Sequence, residues 1–131
     1  MRVPATASTP EVDLTFENDV GWIRGRWSTA RAGGLFIEIQ HYLHDLIDHD
    51  PERRYRIDLD LAEIPSTVLP YLRALFDMLS EKRSKGSAVS VTAYYDADDI
   101  GLKNLFLTLN DKYPGLFQLQ IRPSAAATGT G

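Results

Sequence analysis

Tyr55-Arg56-Ile57-Asp58-Leu59-Asp60-Leu61 is followed by Ile64-Pro65-Ser66-Thr67-Val68-Leu69-Pro70, and then by apolar residues at Val68, Leu72, Leu75, Phe76 and Leu79. The first stretch alternates apolar and charged residues with the two-residue period of a half-buried strand, and the last recurs at the three- and four-residue steps of a helix. Lys82, Arg83 and Lys85 close that helix with cations suited to the negative end of its dipole, and Gly86 follows as a stop. A strand that passes through a short loop into an amphipathic helix is half of a β-α-β unit, so the neighbouring segments decide the architecture.

Downstream, Ala88 to Tyr95 is rich in β-formers, Leu102, Leu105, Phe106 and Leu109 mark a third helix, and Phe117, Leu119 and Ile121 alternate as a last strand. Upstream, Leu35, Ile39, Tyr42, Leu43 and Leu46 predict a helix over Gly34 to His49, ending near Asp50-Pro51. Before it, Val12, Leu14 and Phe16 alternate with Glu11, Asp13 and Thr15, and Asn18-Asp19 predicts a hairpin turn into a second strand over Val20 to Arg26. The order is β-β-α-β-α-β-α-β. A hairpin followed by three helical crossovers implies an α/β domain with a mixed sheet whose later strands are parallel. The domain is expected over residues 11–122, between a flexible segment at 1–10 and a flexible, small-residue tail at 123–131.

The 131 residues are 44% hydrophobic and 24% charged, the balance of one globular domain able to fold without metal or disulfide staples. Absence of cysteine excludes thiolate catalysis, disulfides and cysteine zinc sites. Fourteen Lys and Arg against eighteen Asp and Glu, a net charge of −4, argue against general nucleic-acid binding. No apolar run approaches the ~20 residues of a membrane span, so no membrane partner and a cytoplasmic location are expected.

Candidate constellations for chemistry mostly dissolve on inspection. His41 and His44 have a spacing that can hold a metal, but they flank the predicted core stripe, where a solvated pair is expected. Asp96-Ala97-Asp98-Asp99-Ile100-Gly101 opens like a calcium loop, yet Ile100 and Leu107 occupy two ligand positions, so the cluster reads as a turn supplying an N-terminal Asp to the next helix. Gly21, Gly25 and Gly33-Gly34 lack the Lys-Ser/Thr of a phosphate loop, and no Gly-x-Ser-x-Gly elbow occurs. Neither an enzyme nor a cofactor is implied.

The junction Ile64 to Pro70 is the informative feature. Proline is tolerated in the first helical turn because its missing N–H is one of the orphans there, which favours Thr67 as the helix N-cap and leaves Ser66 in the loop before it. A phosphate on such a hydroxyl adds about −1.5 to −2 charges at a helix start, compatible with the dipole inside the domain and disruptive to a partner docked over it.

The strand-helix order and this junction resemble the STAS fold of anti-sigma-factor antagonists and, more narrowly, the SiaC family of regulatory phosphoproteins. The resemblance runs from about Thr6 to Arg122 through Ser8-Thr9-Pro10, Gly25, Leu35-Phe36, Ile57-Asp58-Leu59, Phe76-Asp77-Met78-Leu79 and Tyr94-Tyr95-Asp96. It implies a non-enzymatic, phosphorylation-controlled adaptor whose state is set by a dedicated kinase and phosphatase. By the same resemblance, its unmodified form binds and activates a diguanylate cyclase, within cyclic di-GMP signalling that governs biofilm or aggregation. The family's phosphorylated motif falls on Pro65-Ser66-Thr67-Val68, which makes Ser66 the implied acceptor and Thr67 the second. Pro65, Val68, Leu69 and Tyr71, with Trp27, form the expected docking residues. Pro65, Pro70 and Ala93 stand where the family has asparagine, lysine and tryptophan, and Arg26 to Arg31 replaces a family stretch of different sequence. The alternative is a constitutive scaffolding domain of the same fold, with Ser66 and Thr67 serving only as caps and binding through Trp27, Tyr71 or Tyr94.

Overall fold

Strand β4 (Arg54–Leu61) of the computed structural model has the predicted alternation, with Tyr55, Ile57, Leu59 and Leu61 buried and the three charged residues between them turned the other way. The structure describes residues 1–7, 9–26, 32–62 and 64–122. Around β4 lie β1 (Arg2–Val3), β2 (Glu11–Asp13), β3 (Val20–Gly25), α1 (Ala32–His49), α2 (Leu69–Ser84), β5 (Ala88–Tyr95), α3 (Ile100–Lys112) and β6 (Phe117–Ile121). The strands form one six-stranded sheet in chain order, antiparallel from β1 to β3 and parallel from β3 to β6.

Register explains how the sheet separates inside from outside. One row of partners runs Val3, Val12, Ile23, Leu59, Ala93 and Leu119, every one apolar. The adjacent row runs Arg2, Asp13, Trp22, Asp58, Thr92 and Gln118. Side chains on successive residues of a strand point to opposite faces, so the first row faces the core and the second faces away from it. Three right-handed crossovers stepping the same way across the sheet place α1, α2 and α3 together on the apolar face. Phe36, Ile39, Leu43 and Ile47 of α1, Leu72, Leu75, Phe76 and Leu79 of α2, and Phe106 and Leu109 of α3 join the sheet residues in one core. Ala93, on the core row, has no exposed surface.

The opposite face is a polar lattice. Arg56 Nε lies 2.8 Å from Asp58 Oδ1, its Nη2 donates to the Tyr94 hydroxyl at 3.2 Å, and Arg24 stacks over the Trp22 ring at 4.3 Å.

Several sequence expectations are corrected. The segment before residue 11, expected to be flexible, contributes β1, and Leu14 N–H donates to the Met1 carbonyl at 2.8 Å. The edge of the sheet offered unpaired backbone groups that this segment could satisfy, a gain its composition does not reveal. The first hairpin strand stops at Asp13, and the turn is a 3₁₀ element, Glu17–Asp19, with Phe16, Asn18 and Asp19 at positive φ. The buried stripe of α1 is Phe36, Ile39, Leu43 and Ile47, with Leu35, Tyr42 and Leu46 only partly buried at its flank. The expectation for residues 123–131 lies outside the described residues.

Candidate functional site

The loop from β4 to α2 is a turn closed by its own backbone. Val68 N–H donates to the Pro65 carbonyl at 2.9 Å, and the Val68 carbonyl then accepts from Tyr71 N–H at 3.0 Å and Leu72 N–H at 3.1 Å. Val68 is the capping residue, already in the right-handed helical region at φ −89° and ψ −26°, and no side chain caps this end. Thr67 is therefore not the N-cap. Because the turn winds directly into the helix, the Val68 carbonyl takes the Tyr71 and Leu72 donors, and Pro70 falls at the second helical position, where its missing donor costs nothing.

Ser66 and Thr67 are both exposed, and neither hydroxyl hydrogen-bonds to another described residue. By contrast, Asp99 caps α3 as expected, its carboxylate accepting from Leu102 N–H at 3.0 Å. One helix start is thus capped by a side chain and the other leaves two hydroxyls unused.

Around the turn, Pro65 and Leu69 are half-buried and Tyr71 is 38% exposed. Val68 is 2% exposed and belongs to the core, so it holds the turn from beneath and offers no side chain to a partner. Trp27 and the stretch from it to Arg31 lie outside the described residues. Tyr94 is half-buried on the opposite face of the sheet, its hydroxyl between Arg56 and Asp58, remote from the turn in the fold's layering. The proposed acceptors therefore come together with Pro65, Leu69 and Tyr71.

Gly33 completes this corner and was not singled out as a site residue in the sequence. A Cβ at Gly33 would lie 2.6 Å from Tyr71 Cζ, so the first turns of α1 and α2 meet with the tyrosine ring laid across the glycine. The Gly33-Gly34 pair at a helix start was the available signal. A cleft of about 210 Å³ lined by Ile64, Asp99, Gly101, Leu102 and Leu105 flanks the turn on its other side, toward α3. At the same end of the sheet Arg122 bridges Asp60 and Asp96, tying the ends of β4, β5 and β6.

Away from this end, α1 and α2 run side by side to the ion pair of Lys82 and Asp48. Lys82 is nearly fully buried, and its ammonium holds the Asp48 carboxyl below the usual carboxylate range. His44 Nε2 lies 3.3 Å from the same carboxylate. Burial and the hydrogen bond to Asp77 push the Tyr113 phenol up to about 12. These groups stabilise the helix layer and contact nothing at the turn.

The architecture defines the class: a mixed α/β protein whose six-stranded sheet carries three helices on one face, with exposed hydroxyls at the start of α2. The family model for SiaC family regulatory phosphoproteins matches residues 3–121, and the chain belongs to that family. Solved structures of SiaC share this fold. SiaC of Pseudomonas aeruginosa in complex with the diguanylate cyclase SiaD, which it activates, superposes with a TM-score of 0.83 at 20% identity, over 93% of this chain and 99% of that one. SiaC of Pseudomonas aeruginosa in its apo form gives 0.80 at 20% identity, over 92% and 97%. No curated protein sequence matches the chain significantly. Among the described residues, no helix is long and apolar enough to cross a membrane.

Proposed function

We propose that this protein is a non-enzymatic, partner-switching adaptor, acting in the cytoplasm, whose unphosphorylated form binds and activates a diguanylate cyclase and whose phosphorylation at Ser66 breaks that complex. The observation that carries the reading is the exposed Ser66 hydroxyl, unbonded to any described residue, on a turn held by backbone bonds and the buried Val68. A kinase can take hold of such a residue without unfolding anything, and a phosphatase can reach it again. Thr67, equally exposed, is the second acceptor. The docking corner is built from Pro65, Leu69 and Tyr71, with Trp27 as a further contact. Membership of a regulatory phosphoprotein family and the likeness to a cyclase activator support the reading.

The test titrates a diguanylate cyclase from the same organism with unmodified protein, with protein phosphorylated at Ser66, and with Ser66→Asp, measuring binding and cyclic di-GMP formation. Binding and activation by the unmodified form alone are expected, with unchanged circular dichroism in all three. Equal binding by the phosphorylated form would leave a constitutive scaffold of the same fold.

A further inference from the structure

The outer surface of the helix layer carries a groove of about 550 Å³ between α1 and α2. Ala74 and Met78 line it along α2, and Met78 is buried, which gives it an apolar floor. Its rims carry Asp45, Asp77 and Glu81, with His41 and His44 on the α1 side, and no lysine or arginine lines it, although Lys85 pairs with Glu81 at 3.1 Å and the Tyr113 hydroxyl donates to Asp77. Tyr71, Ala74, Met78 and Glu81 recur at three- and four-residue steps, so they form one stripe along α2 that continues from the groove to the Ser66 corner. At that upper end two large apolar side chains stand out of the helix layer, Ile37 at 47% and Tyr71 at 38% exposure.

We infer that this groove, from the Ile37 and Tyr71 end down to Asp45, Asp77 and Glu81, receives a basic amphipathic helix of the partner protein. The inference deepens the adaptor reading and rests on it. The distance along α2 from Tyr71 to Lys82 is about 16 Å, room for a helix of three turns lying between two parallel helices. Its apolar stripe would cover Ile37, Tyr71 and the Ala74 and Met78 floor, while lysines or arginines beside that stripe would meet the three carboxylates. Complementary charge at the rim sets register and speeds encounter, and the apolar contacts supply affinity.

The same geometry says why a phosphate would release the partner although the partner is basic. Ser66 lies in the turn five residues before Tyr71, at the apolar end, whereas the sites for basic side chains begin beyond Ala74. A phosphate there would be covered by apolar surface without a cation, and its desolvation opposes docking.

The experiment uses a labelled synthetic helix of leucine, lysine and alanine, a glutamate-for-lysine counterpart, and the diguanylate cyclase of the previous test. The proteins are the wild type, Asp45→Lys/Glu81→Lys, and a charge-matched control, Asp98→Lys/Asp111→Lys, at exposed positions away from the groove. The groove variant should bind the lysine helix about tenfold more weakly, as expected for reversing two rim pairs, with the control close to wild type and the glutamate helix unbound. Amide shifts on binding should centre on Ile37, Ala74 and Met78. Equal loss in both double variants, or equal binding of the two helices, would overturn the groove. If the cyclase binds the wild type and is released by phosphorylation, yet binds the groove variant unchanged, the adaptor reading stands and the groove falls. If no form binds the cyclase, the adaptor reading falls while the lysine helix still reports on the groove.

Discussion

Replacing Thr67 by alanine should leave stability almost unchanged, whereas replacing Asp99 by alanine should lower it by about 1 kcal/mol. The two residues occupy comparable places, just before α2 and α3, but only Asp99 accepts a backbone hydrogen bond, from Leu102 N–H at 3.0 Å. At the start of α2 the Val68 carbonyl takes the Tyr71 and Leu72 donors, Pro70 has none to offer, and the Thr67 hydroxyl accepts no bond from this end. For 131 residues an unfolding entropy of about 2.1 cal/mol/K per residue converts 1 kcal/mol into a melting shift of about 4 °C. Thermal and urea melts followed by circular dichroism should show that shift for Asp99→Ala and under about 2 °C for Thr67→Ala, the range of surface substitutions. Ser66→Ala should match Thr67→Ala. A loss near 1 kcal/mol at Thr67 would refute the reasoning, because the hydroxyl would then be capping α2 and its freedom for modification would be gone. The result therefore decides whether these hydroxyls serve the fold or are left over for a switch.

Gly33→Ala should leave stability within about 1 kcal/mol of wild type, because the added methyl displaces the far end of the Tyr71 side chain rather than backbone and gains helix propensity. The same variant should bind the cyclase more weakly because the Tyr71 ring is moved, and normal affinity would remove that ring from the docking corner. Asp48→Asn should destabilise the protein near neutral pH, since it leaves the buried Lys82 ammonium without its carboxylate. The Asp48 pKa is lowered in the folded state, so its contribution is present above the ordinary 3.8 and is lost as pH falls through the folded value. Urea midpoints of variant and wild type should therefore converge in acid, and a gap independent of pH would count against the pair. The Tyr113 phenol is raised from 10.0 to about 12, so its contribution is intact below 10.0 and declines toward 12, by as much as about 2.7 kcal/mol. Tyr113→Phe should lack that alkaline decline, and a profile identical to wild type would show that another group causes it.

Much of the fold was legible because its elements carry pure periods. In β4, Tyr55 to Leu61 alternates without a break, and in α2 the residues Leu72, Leu75, Phe76 and Leu79 are all buried as their spacing requires. Where the signal was diluted, the reading slipped. In α1, Leu35, Phe36, Ile37, Ile39, Tyr42, Leu43, Leu46 and Ile47 make more than one face apolar: Leu35, Tyr42 and Leu46 flank the buried stripe on the side where the Tyr42 hydroxyl donates to the Leu14 carbonyl, while Ile37 stands exposed on the other. Periodicity alone could not say which face met the sheet. The contribution of Arg2–Val3 was invisible because two residues have no period, and only the unpaired edge of β2 recruits them. At the candidate site, the exposed place of Ser66 and Thr67 at the strand-to-helix junction was legible, whereas Val68, expected to meet a partner, is buried. The role of Gly33 was not legible, since its meaning depends on a ring thirty-eight positions away in sequence. The cap was misplaced by one residue because Thr67 has the right chemistry, whereas the choice was made by backbone bonds from Pro65 to Val68.

That backbone economy bears on where the energy of the proposed switch is spent. A phosphate on Ser66 lies ahead of a helix whose positive end tolerates negative charge, on a turn held by backbone bonds and the buried Val68 rather than by either hydroxyl, so the fold has little reason to respond to it. A hundredfold loss of partner affinity nevertheless requires about 2.7 kcal/mol. If the domain neither unfolds nor rearranges, that amount has to arise at the interface, from covering a doubly charged group with the apolar surface that otherwise meets Leu69, Tyr71 and Ile37. The consequence can be checked by hydrogen exchange: free protein should show the same protection of α2 with and without phosphate, and the two forms should differ only when the cyclase is present. Loss of protection in free phosphorylated protein would move the switch from the interface into the fold.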